Sequence, residues 1–83
     1  MKVYYFCDRL EADVVEAIER QRQELDVESV YVHRLSARTE DMNLVIKYRV
    51  VEPLVCVVVH GHKRLARWCR IPELEELRRV TGG

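Results

Sequence analysis

The sequence predicts a single α/β domain in which strands and helices alternate in the order βαβαββα. Residues 2–6 are rich in aromatic and β-branched side chains, and residues 54–59 are all apolar, as buried strands are. Apolar residues at helical spacing follow the first two strands, and a glycine turn at position 61 predicts a hairpin near the end. The 83 residues suffice for one small domain, placed at residues 1–80, with residues 81–83 as a tail.

The first strand and helix are predicted to meet at Cys7 and Asp8. Asp8 has the side chain of a helix N-cap, and Glu11, three residues later, completes a capping box. A continuous apolar helix face follows this start. Its members are Leu10, Val14, Ala17, Ile18 and Leu25.

The second strand and helix are predicted at residues 27–35 and from Thr39 onward. Val30 and Val32 alternate with bulkier neighbours, as in a strand with two distinct faces. Thr39 can cap the helix, because two acidic residues then fall in its first turn, where the helix dipole favours negative charge. Its buried side is predicted to comprise Met42, Val45, Ile46 and Tyr48.

The C-terminal part predicts two strands and a helix. Residues 54–59 are apolar without alternation, which favours a central strand covered on both faces. Residues 63–69 form a charged returning strand suited to a sheet edge. Pro72 fits the first position of a short amphipathic helix, with acidic residues at its start and arginines at its end.

Composition narrows the classes of partner. The formal net charge is zero, so no overall field favours nucleic acid or an anionic membrane. No apolar run has the length of a membrane span, and a leader pattern is not seen, so a cytoplasmic location is expected. The three cysteines, Cys7, Cys56 and Cys69, lack the spacing of a disulfide scaffold or a zinc site. No metal and no cofactor are therefore predicted.

The segment YRVVEPLVCVVVHGHKRLARW, residues 48–68, together with the element order, resembles the thioredoxin-like superfamily. Shared features are a tyrosine near the end of the second helix, a proline before an apolar strand, and a glycine turn before the last strand. The resemblance implies a four-stranded mixed sheet flanked by three helices. It also implies that Pro53 is a cis proline beside the active site, and that Glu52 offers backbone hydrogen bonds to a bound substrate.

The same resemblance implies that Cys7 is the thiol nucleophile, with Arg9 beside the substrate. Redox members of the superfamily carry C-x-x-C or C-x-x-S at this junction, whereas here Cys7 is followed by Asp8, Arg9 and Leu10. Activity is thus at most that of a monothiol oxidoreductase, which needs an external thiol such as glutathione. A helix N-terminus would lower the pKa of Cys7, while the Asp8 and Glu52 carboxylates would raise it.

Two interpretations of function stay open at this stage. In the first, Cys7 exchanges disulfides with a protein or small thiol partner beside Pro53. In the second, the protein is a redox-inactive interaction module that uses the groove around Pro53 or the basic edge strand. These interpretations leave the substrate and the oligomeric state open.

Two further ligands are less favoured by the sequence. The basic edge strand carries Arg64 and Arg67 near Trp68, a combination that can bind nucleic acid. Nucleic acid is nevertheless not the expected partner, because edge-strand charge prevents aggregation and Trp68 is predicted to pack under the last helix. His60 and His62 could offer two metal ligands, but nothing in the sequence supplies a third.

Overall fold

A computed structural model describes residues 1–82 of the chain and confirms the predicted α/β order βαβαββα. The strands are β1 (Lys2–Cys7), β2 (Glu28–His33), β3 (Leu54–His60) and β4 (Lys63–Trp68). The helices are α1 (Ala12–Glu24), α2 (Thr39–Lys47) and α3 (Leu74–Thr81). None of the helices among these residues is long and apolar enough to cross a membrane.

The four strands form one mixed sheet in the order β2-β1-β3-β4. Strand β1 pairs in parallel with β2 and antiparallel with β3, and β3 pairs antiparallel with β4. The C-terminal ends of β1 and β2 therefore lie at the same end of the sheet as the start of β3. Cys7 lies opposite both His33 and Leu54 at this end of the sheet.

The sheet is covered by helices on both faces. Helices α1 and α3 pack on one face through Val14, Ile18 and Leu77. Helix α2 covers part of the other face through Leu44, Val45 and Tyr48. The prediction that residues 54–59 form a central strand is confirmed, because residues 55–59 are all buried and alternate between the two clusters.

A β-bulge in β4 decides which way its arginines face. The register places one extra residue, Leu65, opposite the step from Val58 to Val59. In a regular strand, residues three apart point to opposite faces. The extra residue reverses that alternation. Arg64 and Arg67 thus lie on the same face of the sheet, the face that α2 covers.

The predicted start of α1 is wrong. The helix begins at Ala12 with Glu11 as its N-cap, and no side chain caps it. Asp8 lies outside the helix and binds Arg34 instead. An ion pair with a guanidinium is a stronger contact for a carboxylate than one amide, so the local capping pattern is overridden. Leu10, predicted on the apolar face, is an exposed loop residue.

The predicted buried side of α2 is partly wrong. Val45 and Tyr48 pack on the sheet as expected, joined by Leu44. Met42 and Ile46, however, are 47% and 70% exposed. The helix has apolar residues on two sides, and the periodicity of the sequence alone does not decide which side meets the sheet.

The predicted C-terminal boundaries also differ from the structure. Helix α3 begins at Leu74, with Glu73 as N-cap in a capping box with Glu76, so Pro72 precedes the helix. The helix continues to Thr81 and ends at Gly82, which has the left-handed φ of 73°. The predicted tail at residues 81–83 is therefore helical at its start, and residue 83 lies outside the described residues.

Candidate functional site

The thiol of Cys7 is buried within the protein. Cys7 is the last residue of β1, is 3% exposed, and belongs to the cluster under α1 and α3. Burial and then, in decreasing order, the carboxylates of Asp13, Asp8 and Glu11 together raise the pKa of this thiol to about 11. Because the thiolate is the attacking species, this environment suppresses nucleophilic chemistry.

Nearby carboxylates oppose the influence of a helix N-terminus that was expected for Cys7. Asp8 and Glu11 lie in the loop before α1, and Asp13 lies in the first turn of that helix. All three carboxylates raise the pKa of the thiol. Of the opposing influences predicted for Cys7, those that raise its pKa prevail.

The other two thiols differ in access. Cys56 lies in the middle of β3 and is fully buried, which raises its pKa to about 12. Cys69 follows β4 and is exposed. All three cysteines are free thiols. The accessible thiol is therefore Cys69, a residue that the sequence analysis did not select.

Backbone hydrogen bonds within the chain hold the segments around Cys7 and Pro53 together. The amide of Asp8 donates to the carbonyl of Pro53 at 3.2 Å, and the amide of Arg34 donates to the carbonyl of Cys7 at 2.9 Å. The structure thus brings Cys7 and Pro53 together as the resemblance implied. The expected cis bond before Pro53 is not observed, since every peptide bond within residues 1–82 is trans.

An ion pair between Asp8 and Arg34 lies at the same end of the sheet. The Arg34 guanidinium donates two hydrogen bonds to the Asp8 carboxylate, and its Nη1 also lies 3.4 Å from the carbonyl oxygen of Val51. The hydrogen bond from Arg34 holds the pKa of Asp8 below its usual range. Arg9, the predicted substrate contact, is exposed and forms no ion pair within the described part of the chain. An incoming peptide would have to displace these internal contacts.

The side chain of Glu52 takes part in a different arrangement. Its carboxylate accepts a hydrogen bond from Arg67 Nη2 at 2.9 Å. Its own backbone amide and the charge on Arg67 hold the pKa of this carboxyl below its ordinary value. Arg67 faces the α2 side of the sheet, whereas Cys7 faces the α1 side. The Glu52 carboxylate and the Cys7 thiol therefore lie on opposite faces of the sheet.

A concave surface rich in basic side chains lies between the end of α2 and the edge strand β4. We call it the cationic cleft. It has a volume of about 520 Å³. Its lining residues are Lys47, Tyr48, Arg49, His62, Arg64 and Arg67. None of these is acidic, and Lys47, Arg49 and Arg64 form no ion pair among residues 1–82.

The turn that ends α2 forms one side of the cleft and positions the charged side chain of Arg49. Arg49 has a φ of 51°, the left-handed conformation that usually requires glycine. The amides of Arg49 and Val50 donate to the carbonyls of Ile46 and Val45, which is the Schellman arrangement of a helix end. Arg67 fastens this turn to β4, because its Nη1 donates to the carbonyl of Tyr48 at 2.7 Å.

A second cleft of about 350 Å³ continues from the first around the end of α2. The two share Lys47, Tyr48 and His62. The second extends to Tyr4 and to Lys2, which pairs with the acidic lining residue Glu28 at 3.7 Å. Strand β4, beside the first cleft, is at the end of the sheet order, so one of its edges is unpaired within the described residues. Together these features form an elongated surface rather than a closed pocket.

The aromatic residues near the cleft are already covered. The Tyr48 ring lies 5.9 Å from Tyr4 and 6.1 Å from Phe6, and Lys47 Nζ lies 5.3 Å above it. Trp68 packs against the cluster on the opposite face of the sheet, which confirms its predicted packing under the last helix. Tyr4, Tyr48 and Trp68 are thus half-buried and in contact with other side chains, which disfavours stacking of a base on them.

The predicted candidates for metal binding are not brought together with further ligands. His60 and His62 flank the exposed turn between β3 and β4. Within residues 1–82, no three side chains of histidine, cysteine, aspartate or glutamate are grouped so that they could hold a metal ion.

Comparison with known proteins supports the fold only. No protein family model matches this chain, and no curated protein matches it. A solved structure described as "Structure of a malarial protein" aligns with a TM-score of 0.71 at 14% sequence identity. The alignment covers 98% of this chain and 92% of that chain. At this identity, the likeness establishes a shared α/β architecture and nothing about activity.

Only part of the cleft was predictable from the sequence. Arg64 and Arg67 were expected on the basic edge strand, but their proximity to Lys47 and Arg49 was not. These pairs are separated by about fifteen residues or more in the sequence, and they meet only because α2 crosses the sheet toward β4. The available signal was the cluster Lys47, Tyr48 and Arg49 at a predicted helix end.

Proposed function

We propose that this protein is a redox-inactive binding domain of thioredoxin-like architecture that docks an acidic segment of a partner protein in its cationic cleft. The observation that carries the proposal is the set of three unpaired basic side chains, Lys47, Arg49 and Arg64, in one concave surface without acidic lining. Such a surface attracts and orients negatively charged groups.

The shape of the surface favours an extended polypeptide as the occupant. The two connected clefts form a path around the end of α2, and the unpaired edge of β4 lies beside it. An extended segment can add to a sheet edge through backbone hydrogen bonds while its side chains reach neighbouring pockets. Acidic side chains would then contact Arg64 and Arg49.

Nucleic acid fits the same surface less well. Binding to single strands usually combines basic residues with exposed aromatic rings. The ring of Tyr48 is covered by Lys47 and two aromatic neighbours, and Trp68 lies on the other face of the sheet. We therefore place an acidic protein segment ahead of a single-stranded oligonucleotide.

The environment of Cys7 argues against the alternative of thiol exchange. A reactive cysteine needs exposure and a lowered pKa, and Cys7 has a buried thiol with a raised pKa. As part of the proposal we retain the expected cytoplasmic location, because the three free cysteines are compatible with a reducing compartment. Replacement of Cys7 by serine should accordingly leave partner binding unchanged.

The test is an NMR titration of the isotopically labelled protein with a short glutamate-rich peptide at low salt. We expect chemical-shift changes at residues 47–52 and 62–67. A lysine-rich peptide of the same length is the matched control, and a single-stranded oligonucleotide is the competing ligand. Changes confined to Cys7, Arg9 and Pro53, or stronger binding of the oligonucleotide, would contradict the proposal.

A further inference from the structure

The outer face of α2 carries two exposed apolar side chains among polar ones. Met42 and Ile46 are 47% and 70% exposed, and they are four residues apart, so they lie one turn apart on the same side of the helix. None of the residues of α2 is fully buried. Val51, just beyond the helix, is 75% exposed. Exposed apolar side chains grouped in this way indicate an interaction surface.

We infer that this face binds the same face of a second copy of the chain, with the two α2 helices antiparallel about a two-fold axis. The helix carries Glu40 and Asp41 in its first turn and Lys47 in its last turn. An antiparallel arrangement brings the acidic end of each helix beside the basic end of the other. A parallel arrangement would place like charges together.

The charged pair and the apolar pair of α2 are centred at nearly the same point along the helix, so one alignment of the two copies suits both pairs. Glu40 and Lys47 are seven residues apart, or nearly two turns, so they lie within about 20° of each other on one flank of α2. The midpoint of this pair and the midpoint of Met42 and Ile46 differ by half a residue, about 0.75 Å along the helix. One two-fold axis therefore places Glu40 opposite the partner subunit's Lys47 on one flank of the outer face. It places Met42 opposite the partner subunit's Ile46 on the other flank, about 130° around the helix.

The residues near that axis are compatible with close approach. Asn43 is exposed on the outer face and lies nearest to the axis. A pair of asparagines at such a position favours one register over others. The existing contact of Glu40 is with Arg38 at 3.3 Å between two largely exposed side chains. Exposed pairs of this kind contribute little, so Glu40 is free to exchange partners.

The expected dimer is weak. A contact built from one short helix and its flanks falls at the small end of interface sizes, for which a dissociation constant on the order of 0.1 to 1 mM is expected. The dimer and the cationic cleft share Lys47, so the two proposals are separated by measuring peptide binding with dilute, monomeric protein. Either can fail while the other holds.

The experiment is sedimentation equilibrium of the whole protein from about 20 µM to 1 mM, a range that spans the expected dissociation constant. We expect a monomer and dimer equilibrium for the wild-type protein. Glu40→Lys and Lys47→Glu should each raise the dissociation constant about tenfold or more, because like charges then face each other twice. Ile46→Gln should weaken the dimer without a charge change.

The decisive sample is an equimolar mixture of the two charge variants. In a mixed dimer, Lys at position 40 faces Glu at position 47, and the unchanged residues face each other, so association should recover. Glu19→Lys on the exposed side of α1 is the matched control and should dimerise like the wild type. Circular dichroism establishes that each variant is folded. A wild-type monomer at the highest concentration, insensitivity to both charge variants, or no recovery in the mixture would each overturn the inference.

Discussion

The carboxylate of Asp8 and the guanidinium of Arg34, 26 residues apart in the sequence, form a two-point ion pair with N to O distances of 2.5 and 3.0 Å. This contact joins the end of β1 to the end of β2 and lies beside the buried Cys7. It lies at the end of the sheet where the resemblance implied an active site. The charges of Asp8 and Arg34 there bind each other and join two strands of the sheet.

Asp8→Asn should lower the thermal midpoint of unfolding by a few degrees at neutral pH, because it removes the charge that Arg34 binds. Arg34 holds the pKa of Asp8 below its usual value, so the stabilisation is present above the unfolded-state pKa of about 4 and is lost as the pH falls through the folded-state value. Thermal unfolding of both proteins from neutral to strongly acidic pH checks this. A difference that stays constant down to the most acidic sample would contradict the ion pair as its source.

The thiols should react in the order of their exposure. In the folded protein, Cys69 should be alkylated at least about tenfold faster than Cys7 and Cys56, and Cys7 should titrate above the ordinary thiol pKa of about 8.5. Mass spectrometry of each cysteine after timed alkylation at several pH values gives these rates. The urea-denatured protein, in which all three should react alike, is the control. Rapid alkylation of Cys7 with a lowered pKa would restore the redox interpretation.

Removal of the Tyr5 hydroxyl should destabilise the core. The buried Gln21 amide donates to the Tyr5 hydroxyl, and Ser29 Oγ lies 3.5 Å from Gln21 Oε1. Tyr5→Phe leaves this amide without its partner, which should cost about 1 to 3 kcal/mol of unfolding free energy. Urea denaturation measures the loss. Tyr4→Phe is the matched control, since Tyr4 is half-buried and its hydroxyl has no hydrogen bond among residues 1–82. Equal effects of the two substitutions would exclude the proposed role of the network.

Arg49→Gly should separate stability from binding. Arg49 has a φ of 51°, which costs a non-glycine residue about 1 kcal/mol and costs glycine little. The substitution should therefore leave the unfolding free energy unchanged or raise it, while it weakens binding of a glutamate-rich peptide several-fold through loss of a cleft charge. Urea denaturation and peptide titration give the two quantities. A less stable variant, or one that binds as well as the wild type, would show that Arg49 is held there for its packing.

The sequence predicted the elements well wherever local pattern and tertiary packing agree. Residues 54–59 could be recognised as a central strand because both faces of that strand are buried, so every position is apolar. The start of α1 could not be predicted, because the capping pattern at Asp8 does not show that Arg34, distant in the sequence, binds the Asp8 carboxylate. The outward side of α2 could not be chosen, because Ile46 and Val45 are equally apolar.

The candidate site was less predictable because it depends on contacts distant in sequence. The bulge at Leu65 turns Arg64 toward α2. Leucine is not a residue type that indicates a bulge, so the sequence did not predict this change of direction. The burial of Cys7 likewise follows from the packing of α1 and α3 over the end of β1. Membership of the thioredoxin-like superfamily stays a prediction, since the structural likeness that was found establishes the fold alone.

The most direct test of the central claim compares Arg64→Glu with Arg9→Glu in the binding of a fluorescent glutamate-rich peptide, followed by anisotropy at low salt. Both arginines are exposed, and both substitutions change the net charge by the same amount. Only Arg64 lines the cationic cleft, whereas Arg9 lies in the loop between β1 and α1. The account predicts that Arg64→Glu weakens binding about tenfold and that Arg9→Glu has little effect. Equal losses, or a larger loss for Arg9→Glu, would contradict it.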